Sequence, residues 1–326
     1  QSIGMNAFVT LLIYLLVIVA PIVYLLGQTV PISSNLFQFN DHVGTVSGKV
    51  LFYSTLGSFL GAVLTSLVLM NLLGVATTLL FNCAVLLMLI IFLLRSTPQR
   101  RFRNTSLISA FILFPPIIII NLHYEQHYFV KTNRYANYSV SSYRHNQNNE
   151  LWRLFQVNNN QSSALNSHNR AQNYIETIKT ILFQDLHLRN KKILVIGSGG
   201  FTLTAQGTFN NDIEYVDIDP SIRQTTERHF LKPIQGRFTA NDARAHIRLI
   251  RHHFDAIVSD AYSSKTSIPA HLISIEHLIN IRKALRAKGV ALFNIIARPT
   301  LDDAFSNRVN NTILSVFPNC MIIPSK

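Results

Sequence analysis

KKILVIGSGGFTLTAQGTFNNDIEYVDIDP, residues 191–220, is the stretch whose reading decides the fold. It opens with a short apolar run, Ile193-Leu194-Val195-Ile196, bounded by lysines on one side and glycine on the other. Four apolar residues without alternation read as a strand buried on both faces, the kind found in a parallel sheet. Gly197, Gly199 and Gly200 follow at once, which lets the backbone turn tightly and approach a bound ligand. A second apolar run, 213–218, carries Asp217, with Asp219 just beyond it. An acid at the tip of a second strand, about 20 residues past a glycine turn, is placed to accept hydrogen bonds from ribose hydroxyls. GSGGF lacks the third glycine of the dinucleotide fingerprint, so NAD and FAD are not favoured. Taken alone, the glycines also fit a strand-to-helix turn with no ligand.

The flanking sequence repeats the pattern. Downstream, a helix is expected from 221 to about 230 and a strand over 237–240, ending in Asn241-Asp242-Ala243-Arg244. A strand over 254–258 then ends in Ser259-Asp260. A helix over 273–286 has a basic last turn and is stopped by Gly289. A strand over 290–296, a helix over 302–316 and a sixth strand over 320–323 complete the series. Strands alternating with helices define a doubly wound α/β sheet. Upstream, 170–186 has helical spacing at Tyr174, Ile178, Ile181 and Leu182, and 128–165 alternates in short stretches that read as strands, with a turn at 146–149.

The N-terminal part has a different character. Of 326 residues, 48% are hydrophobic and 14% charged, against about 25% charged in soluble domains. Part of the chain is therefore expected in lipid. Apolar runs at 5–27, 50–71, 74–94 and 107–122 give about four spans, with a turn near 71–74. Gly57, Gly61 and Thr65 share a helical face suited to close packing. The first run is too long for a signal peptide and no basic region precedes it; Gln1 suggests a start inside a longer chain. The domains expected are 1–122, helical and transmembrane; 123–190, a small β-element with a linking helix; and 191–326, nucleoside-binding and incomplete at its C-terminus. Arg95, Arg100, Arg101 and Arg103 form the only arginine-rich run. With the other basic residues scattered and no binding motif present, a net charge of +13 fits an anionic membrane surface better than nucleic acid. Cys83 and Cys320 have no partner at metal spacing and read as buried thiols. His123 and His127 in HYEQH are not in zinc-protease order, and no metal is expected.

Acids or amides ending three successive strands make a constellation that resembles the class I S-adenosylmethionine-dependent methyltransferase fold. Within it, VNNNQSSAL, the helix carrying Tyr174-Ile175-Glu176, IGSGGFTLT, VDIDP, NDAR and SDAYSSKTSIPAHL fall in the order of the spermidine synthase (polyamine aminopropyltransferase) family. STLGSFLGAVLTSLVLMNLLG resembles the membrane region of fused spermidine synthase-like proteins of bacteria. The resemblance implies a Rossmann-like nucleoside domain anchored in a bacterial inner membrane and facing the cytoplasm. The arginine cluster argues for the opposite face if the fourth run spans.

The resemblance also implies roles. Asp217 would hold the ribose, Asp242 the adenine amine, and Gly197, Gly199 and Gln161 would border the nucleoside. Tyr174, Glu176 and Ser263 would face the amine, and Asp260 would orient and deprotonate it. The co-substrate would be decarboxylated S-adenosylmethionine or S-adenosylmethionine, the partner a small-molecule amine, with a homodimer allowed for. Two positions depart from the family: Gly200-Phe201 stands where its glycine loop carries an acid, and Ser263 where a second acid follows the catalytic one. Burying ammonium groups needs paired charge, so nucleoside binding survives these changes better than polyamine specificity. Three functions stay open: aminopropyl transfer, methyl transfer, and binding of a nucleoside without catalysis. Asp242 could also be a plain helix cap, Asp260 a loop cap and Glu176 a solvated charge.

Overall fold

The computed structural model describes residues 7–36, 43–95, 99–144, 149–262 and 268–324. Two compact units emerge, Gln1–Leu73 and Gly74–Lys326. The first is helical throughout its described residues: α1 (Ala7–Tyr14) runs through a π-helical turn at Leu15–Val19 into α2 (Ala20–Leu36), and α3 (Val43–Val63) ends in another at Leu64–Leu69. Its large apolar side chains point outward, Phe8, Val17, Tyr24 and Tyr53 each being more than 65% exposed. Such an inside-out arrangement suits a lipid surround, not water. A Cβ added at Gly57 or Gly61 would meet nothing within 4 Å, so the small-residue face is unpacked among the described residues.

The second unit begins where helical geometry breaks. Gly74 has φ 77° and ψ 178°, and α4 (Met70–Arg95) continues beyond it; the break falls where a turn is expected from sequence. α5 (Arg100–Tyr128) follows, with Pro115 and Pro116 inside it. Three helical runs are long and apolar enough to cross a membrane, Phe8–Ser33, Gly44–Arg95 and Arg103–Tyr128, the middle one of 52 residues being the run broken at Gly74.

An antiparallel sheet comes next, in the order β1 (Lys131–Thr132), β2 (Asn137–Arg144), β3 (Leu151–Val157), β4 (Asn160–Asn166). Asn158 and Asn159 join β3 to β4 with φ of 52° and 60°. Two consecutive left-handed residues are what a tight hairpin turn requires, and asparagine tolerates that region best among side chains with a Cβ. The turn expected at 146–149 lies largely outside the described residues. α6 (Asn173–Lys179) and a π-helical turn, Thr180–Asp185, then lead into the larger sheet.

That sheet is parallel throughout, ordered β7 (Arg237–Ala240), β6 (Asp212–Asp217), β5 (Lys192–Ile196), β8 (Phe254–Ser259), β9 (Leu285–Phe293). α7 (Ile222–His229), α8 (Ala243–Ile247) and α9 (Ile275–Ala284) are the crossovers, and α10 (Ala304–Val316) follows β9. The pleat explains why the central strand is uniformly apolar. Ile193 and Val195 enter one core cluster with Phe201, Tyr215 and Phe230, while Leu194 and Ile196 enter the other with Phe254, Leu278 and Ile281. Each face of the strand has its own core.

Three expectations are corrected. β9 starts at Leu285, and Gly289 lies within it rather than stopping a helix; α9 ends at Ala284 and Lys288 turns left-handed at φ 64°. The register against β8 jumps between Leu285 and Val290, so residues 286–289 bulge from the ladder. Residues 320–323 form no strand: they line the same cavity as β9 instead of pairing with it. Cys320 is accordingly exposed, and Cys83 is only half-buried.

Phe201 is fully buried, its ring edge-to-face with Tyr215 and Phe238 at centroid distances of 4.8 and 5.8 Å. Phe201→Ala should lower unfolding free energy by about 3–5 kcal/mol through the cavity it leaves. Urea unfolding followed by the fluorescence of Trp152, the only tryptophan, checks this; an unchanged midpoint would refute it.

Candidate functional site

The C-terminal tips of β5, β6 and β8 converge because their ladders run in parallel register. Gly197 donates its N–H to Val216 at 2.9 Å, Asp260 to Ile196 at 2.8 Å, and Asn294 to Ser259 at 2.9 Å. A cavity of about 1330 Å³ opens at these tips and is bordered by Gln161, Gly197, Gly199, Asp217, Asp242 and Asp260. The parallel sheet thus brings Gly197, Gly199, Asp217, Asp242 and Asp260 together, and Gln161 joins them from β4 of the antiparallel sheet. Open α/β sheets bind ligands at this end.

Gly197 can only be glycine. Its φ is 86°, and an added Cβ would stand 2.5 Å from the carbonyl oxygen of Asp260. Gly199, at φ 47°, packs beside the hydroxyls of Ser162 and Ser163. At Gly200 the backbone N–H donates to Ser163 Oγ at 2.9 Å, and a Cβ would come within 2.5 Å of the Phe230 ring. The loop is closed from behind, with no space for a side chain at 200.

Asp217 Oδ2 accepts from the backbone N–H and hydroxyl of Ser198, at 2.9 and 2.8 Å, and Oδ1 accepts from the N–H of Asp219 at 3.1 Å. An ionised carboxylate offers about four lone-pair positions. Three donors therefore leave Asp217 one position for a further donor.

Asp219 lies behind it, 1% exposed. Its Oδ2 accepts from Tyr138 Oη at 2.5 Å and Asn133 Nδ2 at 2.6 Å, and its Oδ1 from the N–H and hydroxyl of Ser221, both at 2.8 Å. Burial and the neighbouring carboxylate push the Tyr138 phenol far above its ordinary value, so it stays a donor. Asn133 follows β1 directly, and Thr132 Oγ1 donates to Glu125 in the last turn of α5 at 2.6 Å. A continuous run of bonds thus links the end of α5 to the loop holding Asp217.

Asp260 ends β8. Its Oδ1 accepts from Asn294 Nδ2 at 2.7 Å and its Oδ2 from the Tyr174 hydroxyl at 3.2 Å. Burial pushes the carboxyl up to about 6, the two hydrogen bonds opposing that rise. The Tyr174 phenol is held well above its usual value by burial and by the charge of Asp260. Tyr262, pushed up to about 12 by burial, spans the backbone of Asn294 and Ile296 and braces the strand that presents Asn294. The result is a carboxylate of raised basicity, fixed on both oxygens and facing the cavity. It is built to take a proton near neutral pH.

Other expected residues fall differently. Asp242 borders the cavity and caps α8, accepting from the Ala245 N–H at 2.8 Å. Glu176 does not border it. Its Oε1 accepts from the Ala171 N–H and from Lys179 Nζ, both at 2.9 Å, and Lys179 is itself buried. Ser263 lies outside the described residues. Asn294, Ser198, Ser163, Tyr138 and Asn133 are absent from the sequence reading, since each acts through a partner at least 19 residues away. The Asn at the end of the strand after β8 was the one available hint.

The fold is an α/β domain of the class I methyltransferase type, with its cavity at the C-terminal end of a parallel sheet. Residues 172–325 match the family model described as spermine/spermidine synthase domain. The polyamine aminopropyltransferase of Vibrio vulnificus (strain CMCP6) is 30% identical over 135 residues, covering 39% of this chain and 44% of that protein. A protein of Bifidobacterium longum (strain NCC 2705) named probable polyamine aminopropyl transferase is 28% identical over 128 residues, covering 39% of this chain and 28% of its own. These matches span less than half the length of either relative. Among solved structures, a probable spermidine synthase from Corynebacterium glutamicum ATCC 13032 aligns with a TM-score of 0.47 and 16% identity, over 56% of this chain and 68% of that one.

Asn133→Ala removes the donor that joins Asp219 to the end of α5. It should weaken binding of an adenine nucleoside about tenfold, as expected for losing a hydrogen bond to a buried charge. Calorimetry on the full chain in detergent reads this; equal affinity in variant and wild type would show that the link does not hold the ribose loop.

Proposed function

We propose that this chain is a membrane-anchored aminopropyltransferase, moving the propylamine group of decarboxylated S-adenosylmethionine to an amine such as putrescine. The observation that carries the reading is Asp260: a carboxylate with its carboxyl raised to about 6, fixed by Tyr174 and Asn294, at the same sheet end as the glycine turn and Asp217. In this reading Asp217 takes the ribose hydroxyls and Asp242 the adenine amine. The glycine turn admits the nucleoside at backbone distance, and Asp260 receives the acceptor's proton. The amine nitrogen attacks the propyl carbon attached to sulfonium sulfur. As the new C–N bond forms, the C–S bond breaks and its electron pair stays on sulfur, giving neutral methylthioadenosine. The proton lost from nitrogen goes to Asp260. Because the sulfonium is already an activated leaving group, alignment and proton removal are what the protein adds. The family-model match of residues 172–325 and the relatives' names support the reading. In it, residues 1–122 are the multi-pass anchor, 123–190 the β-element with its linking helix, and 191–326 the catalytic domain.

Methyl transfer is the second reading, favoured by one observation. Position 200 has no room for a side chain, so the glycine loop presents no carboxylate to the ammonium of a propylamine. An S-adenosylmethionine carboxylate would need none there.

The deciding experiment incubates the full chain in detergent with each sulfonium donor and putrescine, and measures methylthioadenosine release. The expected result is release from the decarboxylated donor only. Turnover should fall about tenfold per pH unit below about 6, because protonated Asp260 cannot accept the amine's proton. Asp260→Asn should reduce turnover roughly 10²-fold or more with nucleoside affinity intact. Release of S-adenosylhomocysteine from the undecarboxylated donor would install the methyltransferase reading. No product from either donor would leave nucleoside binding alone.

A further inference from the structure

A second cavity, of about 690 Å³, lies between α4 and α5 and is almost wholly apolar. Leu87 and Ile91 border it from α4, and Leu107, Phe111, Pro115 and Ile119 from α5. The two helices run antiparallel, since the Asn121 side chain donates to the carbonyl of Ala76 at 3.1 Å near their other end. Proline lacks the N–H that would keep the helix ladder intact and tends to bend a helix; Pro115 sits in the cleft wall. The Phe111 ring, 81% exposed, hangs at the opening.

The charge at one end of this cleft is unusual. α4 stops at Arg95, and α5 begins with Arg100, Arg101 and Arg103 and has no acid in its first turn. Cations at a helix N-terminus oppose the helix dipole. Acids are sparse in this part of the sequence: Asp41 and Glu125 are the only ones before Glu150, and Glu125 sits in the last turn of α5. Among the described residues no ion pair involves any of the four arginines.

We propose that the α4–α5 cleft binds an anionic glycerophospholipid, an acyl chain filling the apolar slot and the phosphate meeting Arg95, Arg100, Arg101 and Arg103. The inference rests on the membrane reading of residues 1–122. Charge complementarity selects the occupant: a zwitterionic lipid would fill the slot equally well, but its headgroup brings a cation with its phosphate and so adds no net negative charge against the arginines. Each basic residue near an anionic lipid surface contributes about fivefold in affinity, so headgroup discrimination should be large.

The full chain purified in detergent is titrated with dioleoylphosphatidylglycerol, dioleoylphosphatidylcholine and inorganic phosphate, with thermal unfolding and native mass spectrometry as readouts. The glycerol lipid should bind and stabilise, the choline lipid much less, and phosphate not at all at equal concentration. The triple variant Arg100→Gln, Arg101→Gln, Arg103→Gln should lose on the order of 100-fold in affinity for the anionic lipid. Ala110→Trp, which fills the slot, should abolish binding while the chain stays in membranes. Equal binding of the two lipids, or full anionic-lipid affinity in either variant, overturns the proposal. If the triple variant does not fold, the comparison of lipids on the wild type decides alone. Alkaline carbonate extraction separates the two levels. Release of the wild type from membranes removes the anchor reading and this site with it, whereas retention with no preference between lipids removes only the site.

Discussion

A buried carboxylate must be met by donors on nearly every lone pair, and Asp219 is where this constraint organises the molecule. Its four donors come from three places: Asn133 after β1, Tyr138 on β2, and the backbone and hydroxyl of Ser221 at the start of α7. The small antiparallel sheet and the large parallel one therefore share a single charge. Removing one of these neutral donors while the carboxylate stays buried would cost about 1.5–3 kcal/mol. The loop between β6 and α7 is tied down by these bonds, and Asp217, the last residue of β6, stands two residues before Asp219.

Two of the acids that border the cavity show how environment separates like residues. Asp217 is wrapped by three hydrogen-bond donors and serves as a fixed acceptor. Asp260 has two, and burial outweighs them, leaving a carboxyl raised to about 6. One sheet end thus carries two carboxyl groups set apart by their surroundings, without any difference in residue type.

Much of this was legible in sequence because it is local. The run 193–196, the glycine turn and the acids closing β6 and β8 each follow from side-chain type at adjacent positions, and the strand ends carry them to one place. The two-sided burial of β5 follows from its lack of alternation. What escaped is non-local. Nothing around Asn133 or Tyr138 announces a partner more than 80 residues away. Glu176 looked like a pocket acid, yet a lysine one helical turn on and a backbone N–H claim it. Residues 320–323 have a strand's composition, but composition does not supply a ladder partner. The bulge at 286–289 was hidden because a basic run before glycine also describes a helix end.

The packing at Gly200 has a bearing on descent. An acid could arise at position 200 by a single substitution only if the new side chain had somewhere to go. Here the Phe230 ring and the Ser163 Cβ occupy that volume, at 2.5 and 2.9 Å from where a Cβ would stand. Phe230 in turn packs against Phe155, the rings tilted at 39° with centroids 5.4 Å apart, so yielding ground would disturb the core beneath the hairpin. An acid at 200 becomes tolerable only after the aromatic behind it has shrunk, and shrinking it first leaves a void with no immediate advantage. The loop is held in its present chemistry by the order in which changes must occur, a ratchet set by packing rather than by the reaction.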